Sequence, residues 1–346
     1  MIKILQTDPM RKRYAIWLIF LVILLVLLLL SIGVSLTTGE LDIKLKEIPS
    51  ILKKQSGIEY GILTHIRLPR IILAFAIGGS LSITGAILQG IYRNPLVEPY
   101  TLGISGGAAV GIALVIVLGL HTRMNPVVLP AAGFAGALLT IFLVYFLSVR
   151  KGGINLNRML LIGVMISFVA SSSMMFLMAV TSAENLHSIV FWTMGSLDEP
   201  STLLIRIMLF ASLAGLVISY LFARPLNALR LGETKARHLG INSTATIRIL
   251  FVVASLLTGF CVAVAGVIGF VGLLIPHIVR LIIGSDYRIV LAGSFLGGSF
   301  FLVISDIIAR TIILPNELPI GVITGMAGGL VFIFVLSRSR SGLKLN

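Results

Sequence analysis

RLPRIILAFAIGGSLSITGAILQGIYRNPLVEPYTLGISGGAAVG, from Arg67 to Gly111, contains two apolar runs, near 68–91 and 99–119. Each approaches the roughly 20 apolar residues that carry a helix across the hydrocarbon of a bilayer. Both are crowded with small residues: Gly78, Gly79, Ser80, Ser82 and Gly85 in the first, and Gly103, Ser105, Gly106, Gly107 and Gly111 in the second. In lipid such residues let helix backbones approach closely. Tight packing alone accounts for that composition, and a transporter would also use weakly knobbed faces to rock or slide. The pair decides the class, an all-α polytopic membrane protein.

Outward from this stretch the pattern repeats. Apolar runs recur near 15–33, 126–148, 157–180, 202–222, 245–265, 270–284, 289–309 and 319–336, giving about ten spans in the chain. Of the 346 residues 57% are hydrophobic and 12% charged, and mean hydropathy is +1.08. A soluble domain has about a quarter charged residues, so residues 1–346 are expected to form one transmembrane domain. The first run follows Arg11, Lys12 and Arg13 but outruns a signal-peptide core and lacks a clear small-x-small cleavage site. It reads as a retained span.

The 27 Lys and Arg outnumber the 13 Asp and Glu, for a formal charge of +14. In a soluble chain that balance would suggest nucleic acid, whereas here it orients the spans, because basic loops stay cytoplasmic. With both termini inside, about two-thirds of the Lys and Arg fall on the cytoplasmic side, among them Lys3, Arg13, Arg150, Lys151, Arg340 and Lys344. The outer segment 37–66 is the longest polar stretch, and its four Lys balance its four acids, as in a solvated surface element.

Catalytic signatures are sparse. Cys261 is the sole cysteine, which excludes an internal disulfide and a multi-cysteine metal site. No HExxH pair and no Walker A glycine loop is present. Asp306 precedes Arg310 by four residues, a helical pairing distance, so a structural ion pair is favoured over a proton relay. A membrane enzyme or proton-driven pump would need more ionisable groups within the spans. One internal echo stands out: Gly85 lies ten residues before Pro95 and Gly266 ten before Pro276, in spans expected to run oppositely, as in an inverted repeat.

The segment from Arg67 to Gly111 closely resembles the FecCD, or cobalamin-permease, family of ABC importers for iron-siderophores, haem and cobalamin. GFVGLLIPHIVRLIIGSDYR from Gly269 to Arg288 and SDIIARTIILPNELPIGVITG from Ser305 to Gly325 carry further family motifs. The resemblance covers about residues 60–340. Two departures are Tyr287, where the family often has His, and Leu330, where it often has Pro. The resemblance implies a cobalamin-permease-like, type II ABC importer fold in the bacterial cytoplasmic membrane. It also implies a second permease subunit, identical or homologous, two cytoplasmic ATPase subunits and an extracytoplasmic binding protein, with no nucleic-acid partner. No cofactor or metal is expected on this chain, since ATP and Mg would be held by the ATPase. The rival class is a secondary transporter or channel without an ATPase.

Three sets of residues are candidates. Segment 223–241, ARPLNALRLGETKARHLGI, looks like the family's coupling segment: Pro225 can open a short helix, and Gly232 and Gly240 can end short helices. Leu226, Leu229, Leu231 and Leu239 are expected to be apolar knobs in need of a cover, with Ala236 between them, and the resemblance sets Glu233 near the ATPase; a solvated basic loop is the plainer alternative. Arg67 and Arg70 flank Pro69 on the outer side, against the charge bias. Snorkelling to head groups explains them, while the resemblance assigns them, with Arg310, to docking of the binding protein. In the fifth span the resemblance points to a pathway past Met165, Ser172 and Met175, with Leu156 and Asn157 at a cytoplasmic constriction. Asn155 is a good N-cap for that span, after a break at Gly152 and Gly153.

Overall fold

The structure, a computed structural model, describes residues 9–120, 127–150, 153–199 and 201–338. Lys3, Lys151, Gly152, Arg340, Lys344 and both chain ends lie outside the described residues. All ten expected runs are helices. Seven are long and apolar enough to cross a membrane: α1 (Pro9–Thr37), α4 (Leu68–Tyr92), α6 (Val128–Ser148), α7 (Leu156–Val180), α9 (Thr202–Leu221), α12 (Ser243–Ala265) and α14 (Tyr287–Thr311). Three are shorter: α5 (Ile104–Val117), α13 (Val271–Ile283) and α15 (Ile320–Arg338). The connections add elements that hydropathy did not announce. Segment 37–66 is not only solvated surface; it holds α2 (Ile48–Lys54) and α3 (Ile58–Gly61), which continues through a π-helical turn, Ile62–Arg67, into α4. Further short helices are α8 (Ala183–Thr193), α10 (Ala223–Leu229) and α11 (Glu233–His238). A two-residue antiparallel ladder, β1 (Val149–Arg150) with β2 (Gly153–Ile154), joins α6 to α7.

Successive spans alternate in direction, so the bundle has a near end, where α1 starts, and a far end. α4 is its axis, with nearly all of its residues from Arg70 to Ile91 buried. Small residues make this possible. A Cβ on Gly78 would fall 2.3 Å from the Gly298 carbonyl oxygen of α14, and one on Gly298 would fall 2.3 Å from that of Gly78. Ser299 of α14 donates to the Phe75 carbonyl and Ser212 of α9 to the Ala76 carbonyl, each at 2.8 Å. Without water, such backbone-level packing and interhelical hydrogen bonds are what hold membrane helices together. α1 belongs to the same bundle, with Leu28 buried and Phe20 against Gly293 of α14.

The two motif loops enter the bundle interior. After α4 the chain turns at Arg93 and reaches the 3-10 turn Pro99–Leu102, and only at Ile104 does α5 begin. Gly103 there faces Gly163, about 10 Å along α7 from Leu156. From the opposite end, residues 266–270 descend from α12, and Gly272 at the head of α13 meets Leu81 and Gly85 part-way along α4. The loops touch: the Tyr100 hydroxyl donates to the Ile268 carbonyl at 2.8 Å and accepts from its N–H at 3.1 Å. Long helix, interior loop, half-length helix and two further spans thus occur twice, from α4 to α7 and from α12 to α15, with opposite polarity. The Gly–Pro echo has a different basis, since Gly85 is inside α4 whereas Gly266 caps α12 at φ +69°.

Gly85→Ala tests the α4 contact. An ordinary helical Gly→Ala change gains about 1 kcal/mol, but here the new Cβ would lie 1.8 Å from the Gly272 carbonyl oxygen. We expect a net loss of about 1–3 kcal/mol in thermal unfolding of the detergent-solubilised chain. Gly33→Ala on α1, with nothing near its Cβ, should be neutral or stabilising.

Candidate functional site

At the far end the structure gathers Arg67, Arg70 and Arg310, as the candidate set requires, but turns their guanidinium groups inward. Their exposures are 2%, 7% and 5%. Asp306, 1% exposed, accepts from Arg70 Nε and Nη2 at 3.2 and 3.1 Å through Oδ1, and from Arg310 Nε at 2.9 Å through Oδ2. The helical ion pair read from spacing is therefore present, and it is shared. Arg70 Nη1 also donates to Glu317 Oε2 at 2.6 Å, and Arg310 Nη2 donates to Ser35 Oγ at 2.8 Å. Arg67 donates to the carbonyls of Leu36, at 2.5 Å, and Leu41. The arginines thus neither snorkel nor stand free. Arg67, Arg310 and Glu317 border a cavity of about 470 Å³ that Gly39 and Glu40 complete. Beyond α8 on this end, burial raises the Glu199 carboxyl above its ordinary value, and Asp198 adds to the rise against the opposing Ser201 N–H.

At the near end α10 and α11 form the expected pair of short helices, but Gly232, at φ +103°, opens α11 as its N-cap rather than ending α10, while Gly240, at φ +79°, follows the end of α11. The expectation of exposed leucines needs correction. Leu226 and Leu229 are buried, because their i, i+3 face packs into the bundle against α4 and α14, and Ala236 is fully buried too. Only Leu231 and Leu239, 58% and 63% exposed, present apolar surface. The segment is sewn to the start of α14: Asn227 Nδ2 donates to Asp286 Oδ1 at 2.8 Å, Asn227 Oδ1 accepts the Tyr287 N–H at 3.0 Å, and Arg230 Nη1 donates to the Ser285 carbonyl at 2.6 Å.

α7 starts where the cap predicts, since Asn155 Oδ1 accepts the Arg158 N–H at 3.0 Å. Leu156 is half-buried against the core and Asn157 is exposed. Met165, Ser172 and Met175 lie with Leu161 and Phe168 on one exposed face of α7, while Met159 and Met174 point into the bundle. Spacing alone missed one junction. Asn155, Leu156 and Asn157 share a cleft of about 240 Å³ with Tyr92, Arg93 and Glu233, so the start of α7 adjoins the coupling segment.

Among the described residues no three His, Cys, Asp or Glu side chains gather as a metal site, and Cys261 is buried. Gly103 to Gly107, GISGG, does spell the G-x-S-x-G of a hydrolase elbow, a motif that reading the sequence for catalytic signatures counts as absent. That motif requires a strand before its helix, and a 3-10 turn stands there instead.

The model of the FecCD transport family matches residues 22–338. The hemin transport system permease protein HmuU of Yersinia pestis is 38% identical over 286 residues, covering 80% of this chain and 83% of that protein. The cobalamin import system permease protein BtuC of Halobacterium salinarum is 39% identical over 275 residues, covering 80% of this chain and 73% of its own length. In structure the chain resembles an inward-facing metal-chelate-type ABC transporter, with a TM-score of 0.83 and 29% identity over 92% of this chain and 98% of the other.

Asp306→Ala should leave the buried Arg310 guanidinium without a counter-charge and Arg70 with Glu317 alone. Breaking a buried pair costs about 3–5 kcal/mol, so the thermal transition of the purified chain should fall steeply. Lys44→Ala, which removes an exposed 3.7 Å pair with Glu47, should not move it measurably.

Proposed function

Since the chain belongs to the FecCD transport family, we propose that it is the permease subunit of an ATP-binding cassette importer carrying an iron-siderophore, haem or a corrinoid inward by alternating access. Two copies, or this chain and a homologue, face each other across the exposed face of α7. Two separate ATPase subunits, which hold ATP and Mg, sit under the near end, and a binding protein delivers cargo to the far end. The near end faces the cytoplasm of a bacterial cell. The observation that carries this is the short helix pair at 223–241, anchored to the core by Leu226 and Leu229 and presenting Leu231 and Leu239 beside the start of α7. A partner that moves this pair acts on the bundle directly, because its buried leucines do not slip.

The docking role of Arg67, Arg70 and Arg310 takes a modified form. Their side chains are the frame of the far-end rim, and a partner carboxylate reaches Arg67 and Arg310 through the cavity beside Glu40 and Glu317, with Arg70 held behind them. The pathway role of Met165, Ser172 and Met175 rests on their shared exposed face, a soft surface suited to bulky cargo.

Leu231→Asp should uncouple transport while the chain still folds. Loss of an anchoring side chain at a protein interface costs about 2 kcal/mol or more, roughly 30-fold in affinity. ATPase copurification and cargo uptake into proteoliposomes should both collapse, and unchanged uptake would refute the assignment. A cysteine at Leu156 or Asn157, with Cys261 replaced by Ser, should crosslink two permease subunits in the closed state and lose that crosslink during transport. No crosslink in any nucleotide state would remove α7 from the gate.

A further inference from the structure

Beside the coupling segment lies a cavity of about 600 Å³ whose charged lining is entirely basic, from Arg93, Arg230 and Arg280. Gln89 and Tyr287, both buried, form part of its wall, and Leu231 stands at its margin. The three guanidiniums have only neutral partners or none. Arg280 Nη1 donates to Gln89 Oε1 at 2.5 Å, while its Nη2 is buried without a hydrogen bond. Arg230 meets the Ser285 carbonyl. Arg93, held in the left-handed region at φ +52°, makes no hydrogen bond or ion pair among the described residues. Of the nearby acids, Asp286 is paired with Arg13 and Asn227, and Glu233, which lines the adjoining cleft beside Asn157 together with Arg93, makes no ion pair among the described residues.

Arg93 and Arg230 are exposed at the rim, whereas Arg280 is half-buried without a counter-charge and carries an unmet buried donor, which is costly. An anionic group entering the cavity would relieve both. Its source follows from the margin. Leu231, on the turn joining α10 to α11, is exposed next to the cavity, so whatever covers this leucine also closes the cavity. A free phosphate or a lipid head group would satisfy the arginines and leave Leu231 bare. A protein surface that sets an acidic side chain next to an apolar pocket satisfies both.

We propose that this cavity receives an Asp or Glu side chain of the ATPase subunit. The proposal rests on the reading of 223–241 as the ATPase dock and adds to it the chemistry of recognition: a leucine anchor and, beside it, a carboxylate held by charge-assisted bonds from Arg93, Arg230 and Arg280. Because Arg93 also lines the cleft at Asn155 to Asn157, the bound carboxylate sits one side chain away from the start of α7.

The test uses the full permease in phosphatidylcholine nanodiscs with its own ATPase subunit, and it reads their dissociation constant at low salt and at about 0.5 M salt. Arg93→Glu and Arg230→Glu should each weaken association about tenfold or more at low salt, with less effect at high salt. One Asp→Lys or Glu→Lys change on the ATPase face should restore binding to the reversed permease. Arg93→Gln and Arg230→Gln, which remove the charge without reversing it, should weaken it less and serve if the Glu variants misfold. Unaltered ATPase affinity in the charge variants, with Leu231→Asp still disruptive, would overturn the carboxylate site and leave the dock standing. Unaltered affinity in all of them would overturn the dock as well. Loss of binding that no acid-to-lysine change rescues would also count against the site. So would inorganic phosphate that binds at Arg93 and Arg230 without competing with the ATPase.

Discussion

Along α4 the neighbouring helices touch backbone rather than side chain. Gly78 lies against Gly298, Gly85 against Gly272, and two serines from different helices reach its carbonyls. Lipid tails are as apolar as leucine, so burial of apolar side chains gives little reason for helices to associate. Close approach and hydrogen bonding must supply it. Every other feature takes its position from this axis. Arg70 occupies its first turn, and Gln89, Tyr92 and Arg93 occupy its last, so the far-end charge network and the near-end cavity are the two terminations of one buried helix.

The half-length helices α5 and α13 follow from the same packing. Each begins inside the bundle because a loop occupies the rest of the thickness. Irregular backbone is tolerated at membrane depth only where protein surrounds it, and the mutual Tyr100 to Ile268 bonds satisfy polar groups that lipid could not. At the far end, α8 closes over the same region: the Ser196 N–H donates to the Ala265 carbonyl, and the Gly321 N–H to that of Met194. This explains an amphipathic eleven-residue helix where hydropathy showed only a connection.

Much of this was legible in the sequence, for identifiable reasons. A bilayer imposes long apolar runs, so ten helices could be located by composition. The Asn155 cap and the Asp306 to Arg310 pair are local and follow from spacing. What escaped was tertiary. Residues 99–103 are apolar enough to be counted with their span, and 266–269 read only as a gap between two runs, although both segments enter the bundle as backbone that is not α-helical. Leu226 and Leu229 differ from Leu231 only in the direction they face, which depends on α4 and α14. The inward turn of Arg67 and Arg310 depends on groups from Ser35 to Leu41, more than twenty residues from Arg67 and far more from Arg310.

The sharing of Asp306 has an evolutionary consequence. One carboxylate, 1% exposed, pairs with arginines from two helices, and Glu317 adds a second carboxylate to Arg70. Loss of Asp306 strands Arg310 in a low-dielectric site, whereas loss of either arginine leaves Asp306 paired with the other, and groups coupled in this way respond to substitution non-additively. The order of change is therefore constrained: an arginine can be lost while Asp306 keeps its other partner, but Asp306 cannot be lost before Arg310 without leaving a buried charge unpaired.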